Sequence, residues 1–528
     1  MDTPYRNKWW ILTAVSLALF MGTVDGTIVN VALPTLVREL GATTSDLQWI
    51  VDAYTLVFAG LLLAAGSLGD RFGRARALRL GLIAFGITSV LGALAQSPGQ
   101  LVAARAAMGI GAALIFPATL AILTNVFTAP GERAKAIGIW TAITGLAVAL
   151  GPVTGGWLLE HFWWGSVFLV NLPIVAVALV AGHFLVPESR DPVVKRLDPL
   201  GIALSISGVT LLVWAIIEAP DHGWTSTTSL VAFAGAAVLI GAFVAWELHS
   251  RNPMLDVRIF RNLRFSAASI AVTVAFFALF GFIFMVTQYM QFVRGCGTFE
   301  AGLRTVPFAV ATGIAAPIAP VLVRRIGTKV VVAGGLALMS AGFLVASTTS
   351  ATSAYAVIVA SMALMGVGLG FTSAPATESI MGALPPERAG VGSAVNDTTR
   401  ELGGTFGVAV AGSILASAYT TGLAEKLAGL PVPADALDTA QSSIGAAFAV
   451  ADRATELVGP AAGDAIRGAA SQAFIDGFHT GSVVLAVVAL AGAVAALLIL
   501  PARATEPAAD GVTTDGAADG LALEGAGA

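Results

Sequence analysis

Residues 66–76 read GSLGDRFGRAR, with three glycines and charges of both signs within eleven positions. One apolar run, 48–69, leads into this stretch and another, 78–96, follows it. Each run is long enough to cross a bilayer, because a hydrocarbon core of about 30 Å needs about 20 apolar residues in a helix. The stretch therefore predicts a tight turn that joins two transmembrane helices.

The composition of the whole chain agrees with a location in the membrane. Its 528 residues are 56% hydrophobic and only 11% charged, and the mean hydropathy is +0.84. Soluble domains have about 45–50% apolar and about 25% charged residues. The net charge of -4 and the scattered Lys and Arg residues give no basic patch, so nucleic-acid binding is excluded as a function class. The single cysteine, Cys296, has no internal disulfide partner.

A scan for apolar runs of spanning length predicts fourteen transmembrane helices. They lie near 10–32, 48–69, 78–96, 101–124, 136–158, 166–187, 199–218, 228–247, 265–290, 303–323, 329–349, 353–376, 400–420 and 481–501.

The distribution of positive charge orients these helices, because Lys and Arg concentrate on the cytoplasmic side of membrane proteins. With the N-terminus inside, most of the 28 Lys and Arg residues fall in inner loops, Arg400 among them, and Arg105 is left inside a span. We therefore predict a multi-pass protein of the cytoplasmic membrane with both termini in the cytoplasm.

The stretch 66–76 resembles the signature loop of the major facilitator superfamily. In that family the acidic and basic side chains of the loop latch neighbouring helices across the cytoplasmic face. Residues 320–329 repeat the pattern in a degenerate form without the Asp, and internal repeats are typical of such transporters. The resemblance implies a conformational latch made of Gly66, Asp70, Arg71, Gly73 and Arg74.

The resemblance also implies how the chain is divided. We predict an all-α integral membrane protein of the major facilitator fold, with two six-helix bundles at 1–187 and 265–501 and two extra central helices within 188–264. Residues 421–480 are predicted to form an extracellular loop with short amphipathic helices, acting as a solvated cap or as a substrate gate. The Ala-, Gly- and acid-rich tail, 502–528, is predicted to be disordered and cytoplasmic.

The fifth predicted span has an unusual density of glycine, which lets a neighbouring helix approach closely, and a proline, which bends the axis. Its Gly-Pro-x-x-Gly-Gly form resembles the motif that distinguishes exporters and antiporters from importers in this superfamily. The resemblance favours export over import and implies roles for Gly145, Gly151, Pro152, Gly155 and Gly156.

Further stretches resemble one branch of the superfamily, the drug:proton antiporters with fourteen spans. Residues 24–34 read VDGTIVNVALP, and residues 101–111 read LVAARAAMGIG. Trp49 and Tyr54, early in the second span, and the stretch NLP at 171–173 fit the same branch. The resemblance covers most of the chain outside 421–480 and the tail.

Asp25 and Arg105 are charged residues inside predicted spans. A lone charge at the bilayer centre costs about 2.5–3.5 kcal/mol on insertion scales, so each is expected to have a partner. At about 1.5 Å per residue, Asp25 lies about 22 Å past Trp10 and Arg105 about 21 Å from the inner face, so they share a depth. We hypothesise that Asp25 is the protonation site and that Arg105 sets its proton affinity. The alternative is a structural ion pair that only fixes packing.

These features together predict a proton-coupled secondary antiporter that exports drugs, antiseptics or an endogenous antibiotic or metabolite by alternating access. An uptake facilitator or a non-transporting membrane sensor of the same fold is the alternative. An ATP-driven pump is disfavoured, because no Gly is followed by Lys and the chain therefore has no P-loop. The predicted substrate cavity is lined by Asn30, Trp49, Tyr54, Phe280 and Phe284.

We expect no enzymatic activity, no metal site and no cofactor, since a proton gradient would supply the energy. The expected partners are small amphipathic or cationic organic substrates, protons and membrane lipids, and not nucleic acid. A monomer is expected.

Overall fold

The computed structural model describes residues 7–190, 198–250, 253, 255–384, 389–428 and 432–501. Its regular structure in these ranges is helical. The α-helices are α1 Lys8–Leu40, α2 Thr44–Phe72, α3 Arg74–Ala93, α4 Pro98–Val126, α5 Pro130–His161, α6 Ser166–Leu169, α7 Asn171–Leu185, α8 Pro199–His222, α9 Thr227–His249, α10 Leu263–Gln288, α11 Thr298–Leu303, α12 Val306–Ile326, α13 Thr328–Ala346, α14 Tyr355–Met381, α15 Ala389–Leu427, α16 Ala434–Ser442, α17 Ile444–Leu457 and α18 Pro460–Ile499.

Local sequence signals set where several of these helices begin and end. A capping box of Thr43 and Asp46 opens α2, and the Ser97 side chain accepts a hydrogen bond from the backbone of the first turn of α4. Such caps satisfy backbone N–H groups that have no partner within the helix. Gly41 ends α1 with φ 66°, a left-handed conformation that glycine adopts without steric cost.

Twelve described helices are long and apolar enough to cross a membrane, or thirteen if the bent pair Thr44–Leu62 and Ala64–Phe72 is one span. The predicted span 136–158 falls on α5, which is 32 residues long and has some side chains outside the described set. The all-α membrane fold is confirmed, whereas the count of fourteen stays a prediction. The predicted tail, 502–528, lies outside the described residues.

The helices in the last part of the chain extend beyond the predicted membrane spans. The spans 400–420 and 481–501 are parts of the longer helices α15 and α18, and the predicted loop 421–480 is helical over most of its described residues. The short helices expected within it are confirmed as α16 and α17. An apolar run marks only the part of a helix that meets lipid, so helical extensions with polar residues escape a hydropathy scan.

The two halves of the helix bundle meet at one of its ends. We call the end that holds Lys8 and Ile499 the near end, and the end that holds Leu40 and His161 the far end. Among the described residues, the hydrogen bonds between 1–187 and 265–501 lie at the far end and in the middle. They join Thr44 Oγ1 to Ser442 O (3.2 Å), Gln291 Nε2 to Val31 O (2.9 Å), Thr298 Oγ1 to Gly156 O (3.1 Å), Gln48 Nε2 to Ala409 O (2.8 Å) and Thr55 Oγ1 to Thr405 Oγ1 (2.8 Å).

The two inserted helices, α8 and α9, lie on the outside of the bundle. Only 28% and 17% of the residues in their most apolar segments are buried. One side of α8 covers the line where α2 of the first half meets α15 of the second. There the Ser413 hydroxyl donates to Ile216 O at 2.7 Å, beside an apolar cluster that includes Leu56, Val213 and Ala409. Helix α8 therefore contacts both halves at their junction.

Candidate functional site

The structure brings the two predicted intramembrane charges together. Nη1 of Arg105, on α4, lies 2.5 Å from Oδ2 of Asp25, on α1. Both side chains are essentially inaccessible, with 1% and 0% exposure. The two charges, predicted to lie at the same depth in the membrane, are in direct contact in the interior of the first bundle. The proposed role of the pair in proton coupling stays a prediction.

A third residue, which was not predicted from the sequence, completes the hydrogen-bond network of Asp25 and Arg105. Asn171 opens α7, and its Nδ2 donates to Asp25 Oδ1 at 2.8 Å and to Ser89 Oγ at 3.3 Å. Asn171 is itself fully buried. The amide in the mostly apolar stretch 166–187 was the available signal, because a buried amide needs hydrogen-bond partners.

Arg105 is held in place from two further directions. Its Nε donates to Ile50 O at 3.0 Å, and its guanidinium lies over the ring of Tyr54 with 4.3 Å from Cζ to the ring centroid. The other terminal nitrogen, Nη2, has no hydrogen-bond partner within the described part of the chain. The planar cation is therefore fixed toward Asp25 by a backbone carbonyl and a ring face, which lysine could not reproduce.

This arrangement can respond to a proton. An ion pair in a low-dielectric interior offsets the cost of burying each charge, and removal of one charge leaves the other uncompensated. Protonation of Asp25 would end the pairing with Arg105 while Asn171 could still contact the acid. Loss of the ion pair would thus change how α1 packs against α4.

The predicted latch loop forms a compact charged turn at the near end. Arg74 Nε lies 2.8 Å from Asp70 Oδ1, and Arg74 Nη1 reaches Ala121 O of α4 at 3.4 Å. Gly73 has φ 120°, where a side chain is strained, and Gly66 packs near Pro117 of α4. Arg71 is exposed and lies over the adjacent Phe72 ring, so its part in a latch stays a prediction.

Glu188, which follows α7, ties this turn to the rest of the bundle and was not foreseen. Its Oε1 accepts from the Ala75 backbone N–H at 3.1 Å, and its Oε2 lies 3.6 Å from Arg76 Nε and 3.7 Å from Arg79 Nη2. A carboxylate at the first turn of α3 also compensates the positive helix N-terminus. A side chain in place of the hydrogen at Gly73 would collide with this carboxylate.

Replacing Glu188 with Gln is expected to loosen the turn, because the amide keeps the shape but loses the charge facing Arg76 and Arg79. These contacts are partly exposed, so we expect a loss of about 1 kcal/mol, equivalent to about fivefold in an equilibrium. Thermal unfolding in detergent and ethidium efflux from cells would measure it. Glu300→Gln, which removes an exposed ion pair with Arg304, is the matched control. Equal effects of both changes would contradict this role.

The predicted export motif lies on α5 where three helices meet. A Cβ at Gly151 would collide with Thr27, and one at Gly155 would lie 2.6 Å from Ile28 Cγ1, so these glycines allow close contact with α1 near Asp25. A Cβ at Gly156 would lie 2.5 Å from Thr298 O of α11. The surroundings of Gly145 are outside the described residues.

Pro152 takes part in the same crossing. It lies inside α5, and its carbonyl group packs directly on Gly302 of α11. The motif therefore joins the two halves at the far end as well as packing α5 against α1.

The five residues predicted to line a substrate cavity have different surroundings in this structure. Asn30, Tyr54 and Phe284 are buried. Trp49 Nε1 donates to Glu218 Oε1 of α8 at 3.2 Å, and Phe280 packs against Gly404 of α15. Their role in substrate binding stays a prediction.

Three charged residues of α15 were missed as intramembrane groups. The predicted span began at 400, whereas α15 begins at Ala389, so Asp397, Arg400 and Glu401 lie within the helix. The assignment of Arg400 to an inner loop was wrong: its Cζ lies 5.2 Å from the ring centroid of Phe276 on α10. The polar residues that precede 400 concealed the start of the helix.

Comparisons with known proteins agree with this architecture. Residues 15–408 match the sequence model of the Major Facilitator Superfamily. The chain is 36% identical to the multidrug efflux pump LfrA of Mycolicibacterium smegmatis, over 93% of this chain and 96% of that protein. It is 38% identical to the multidrug resistance protein Stp of Mycobacterium tuberculosis, over 78% and 76% of the two chains. It is 36% identical to the methyl viologen resistance protein SmvA of Salmonella typhimurium, over 89% and 93%.

A solved structure shows the same fold. It is a bacterial homolog of the human lysosomal transporter Spinster, with a TM-score of 0.65, 20% sequence identity, and coverage of 96% of this chain and 100% of that one. The family match over more than half of the chain and the full-length relatives confirm the resemblance seen in the loop at 66–76. This chain belongs to the Major Facilitator Superfamily.

Proposed function

We propose that this protein is a proton-coupled antiporter that exports amphipathic or cationic drugs, antiseptics or an endogenous metabolite across the cytoplasmic membrane. The observation that carries the proposal is the fully buried contact of Asp25 with Arg105 and Asn171. Ionisable side chains within a membrane domain are costly to bury and typically mark a substrate, ion or proton pathway. The relatives named for multidrug efflux and resistance support the direction and the substrate class.

In the proposed cycle this structure is the state that is closed at the far end. The positive-inside distribution supports a cytoplasmic location for the near end and for both termini. Substrate would enter from the near end, and the far-end contacts between the halves would then open to release it outside. Uptake of a proton by Asp25 from the outer solvent would separate it from Arg105 and favour closure of the far end. Release of that proton to the cytoplasm would restore the ion pair seen here, so that each proton entering drives substrate out.

The proposal needs no cofactor, metal or nucleotide, because the proton gradient supplies the energy. The charges of α15 support cationic substrates, since Asp397 and Glu401 place carboxylates within the membrane domain of the second half. The remaining expected partners are protons and lipids, and we propose that a monomer is the working unit.

The test is accumulation of ethidium in cells that express the parent protein or Asp25→Asn, measured before and after a protonophore. Asparagine keeps the shape of the neutral acid but binds no proton, so export by the variant is expected to fall to the level of empty cells. The parent should lower accumulation, and the protonophore should abolish the difference.

Asp452→Asn is the matched control and should leave export unchanged, because Asp452 of α17 forms an exposed ion pair with Arg467 of α18. Gradient-dependent export by Asp25→Asn at the parent rate would show that the pair is only structural. Net accumulation of ethidium by the parent would favour the uptake facilitator instead.

A further inference from the structure

A second carboxyl group is buried in the first bundle, and the described residues give it no hydrogen-bond partner. Asp52, on α2, is 0% exposed, and neither Oδ1 nor Oδ2 has a hydrogen-bond partner among the described residues. A carboxylate in such a place would carry its full desolvation cost, whereas the neutral acid carries far less. The state described here therefore favours Asp52 in its protonated form.

Asp52 lies at the interface between the two halves, where a change of charge could affect how they pack. Gln48, Asp52 and Thr55 recur at i, i+4 and i+7 and share one face of α2. On that face Gln48 Nε2 donates to Ala409 O at 2.8 Å, and Thr55 Oγ1 lies 2.8 Å from Thr405 Oγ1. We call Gln48, Asp52, Thr55 and Thr405 the seam cluster. All four are buried where α2 meets α15.

The charged groups around α2 do not neutralise this carboxyl. Glu218 on α8 accepts hydrogen bonds from Ser45 and Trp49, and Asp25 on α1 pairs with Arg105 on α4. Arg76 and Arg79 on α3 face Glu188 at the near end. On α15, three charged residues lie nearer to the near end than Thr405: Asp397, Arg400 and Glu401. Within the described part of the chain, the carboxyl of Asp52 thus has neither a hydrogen bond nor an ion pair.

Opening of the far end would separate α2 from α15 and expose Asp52 to water. Asp52 is about two turns into α2 from the far end, or about 12 Å at about 1.5 Å per residue, so it would meet solvent early in such a movement. In water the carboxyl would ionise, and the seam could close again only after a proton returned.

We propose that Asp52 is a second proton site, distinct from Asp25, that locks the far end. It takes up a proton from the outer solvent when the far end is open, and the seam cluster closes on the neutral acid. Closing therefore consumes a proton, and a lower pH favours the closed far end by mass action. The proposal rests on the alternation between two access states in the proposed function, and it adds where a proton acts on the gate.

The test is a distance measurement across the far end, in lipid nanodiscs and without substrate. Spin labels would be placed at Glu39→Cys and Thr352→Cys, which are exposed at the far end of the two halves, in a Cys296→Ser background. In the parent, raising the pH from mildly acidic to mildly alkaline should move the distance distribution toward longer separations. In Asp52→Asn this shift should be lost, and the short distance should persist at every pH.

Thr55→Val is the matched control, because it removes a polar contact of the same seam without removing a titratable group. It should keep the pH-dependent shift. Asp52→Ser, which also removes the carboxyl, carries the same expectation as Asp52→Asn. A shift of unchanged size in both Asp52 variants, or no shift in the parent, would overturn the proposal. An Asp52-dependent shift in a protein whose ethidium export ignores the protonophore would overturn only the proposed function.

Discussion

Replacing Arg105 with Met is expected to abolish gradient-driven export and to lower the free energy of unfolding by about 3 kcal/mol, because breaking a buried ion pair leaves an uncompensated charge. Methionine fills much of the same volume but cannot contact Asp25, Ile50 O or the Tyr54 face as the guanidinium does. Ethidium efflux with and without a protonophore, together with thermal unfolding in detergent, would measure both effects.

A double change separates stability from coupling. Asp25→Asn combined with Arg105→Met leaves no buried charge at this point, so much of the lost stability should return while export remains absent. Neutral pairs often replace buried ion pairs with little cost. Export at the parent rate by Arg105→Met alone would contradict a coupling role, and failure of the double variant to recover stability would contradict the electrostatic explanation.

Adding a single methyl group at Gly302 is the second change with a large expected effect. The Cβ of Gly302→Ala would collide with the carbonyl group of Pro152, which is backbone and cannot rotate away. Overpacking of this kind costs about 1–3 kcal/mol, and about 1.4 kcal/mol changes an equilibrium tenfold. Because this contact joins the halves at the far end, the closed state should lose population by about tenfold and ethidium export should fall accordingly.

Two further variants test the origin of this effect. Gly297→Ala, just before α11, adds the same methyl group where no atom lies within 4 Å, and it should leave export unchanged. Gly156→Ala introduces a clash with Thr298 O from the other helix and should reproduce the defect. Labels at Glu39→Cys and Thr352→Cys should report longer distances in Gly302→Ala than in Gly297→Ala. Equal distances would show that the crossing does not control the far end.

Much of the architecture could be predicted from the sequence because hydropathy and charge report depth in the membrane. Runs of about 20 apolar residues located the spans, and the loop at 66–76 identified the family. Depth was also enough to pair Asp25 with Arg105, since both charges lie far from water and each needed a partner. The roles of Asn171 and Glu188 were not predicted, because their contacts depend on which way each helix faces. Depth in the membrane carries no information about the rotation of a helix.

Asp52 and the charges of α15 escaped for a related reason. Asp52 follows the start of an apolar run by only a few residues, a position where a charge usually reaches the interface. Its burial depends on the packing of α2 against α15, which comes from a distant part of the chain and bonds to the same face of α2. Asp397 and Arg400 lie where α15 continues beyond its apolar run, and hydropathy alone ended the helix too early.

The length of α18 has a practical consequence for experiments on this protein. A helix of 40 residues extends about 60 Å, about twice the thickness of a hydrocarbon core of about 30 Å. Its first half therefore stands beyond the lipid at the far end, bound to α15 through the ion pair of Lys426 with Asp476 and packed on by α17. This stalk is a rigid epitope. An antibody fragment raised against it would add a fixed mass for electron microscopy while leaving Asp25, Asp52 and the crossing at Gly302 untouched.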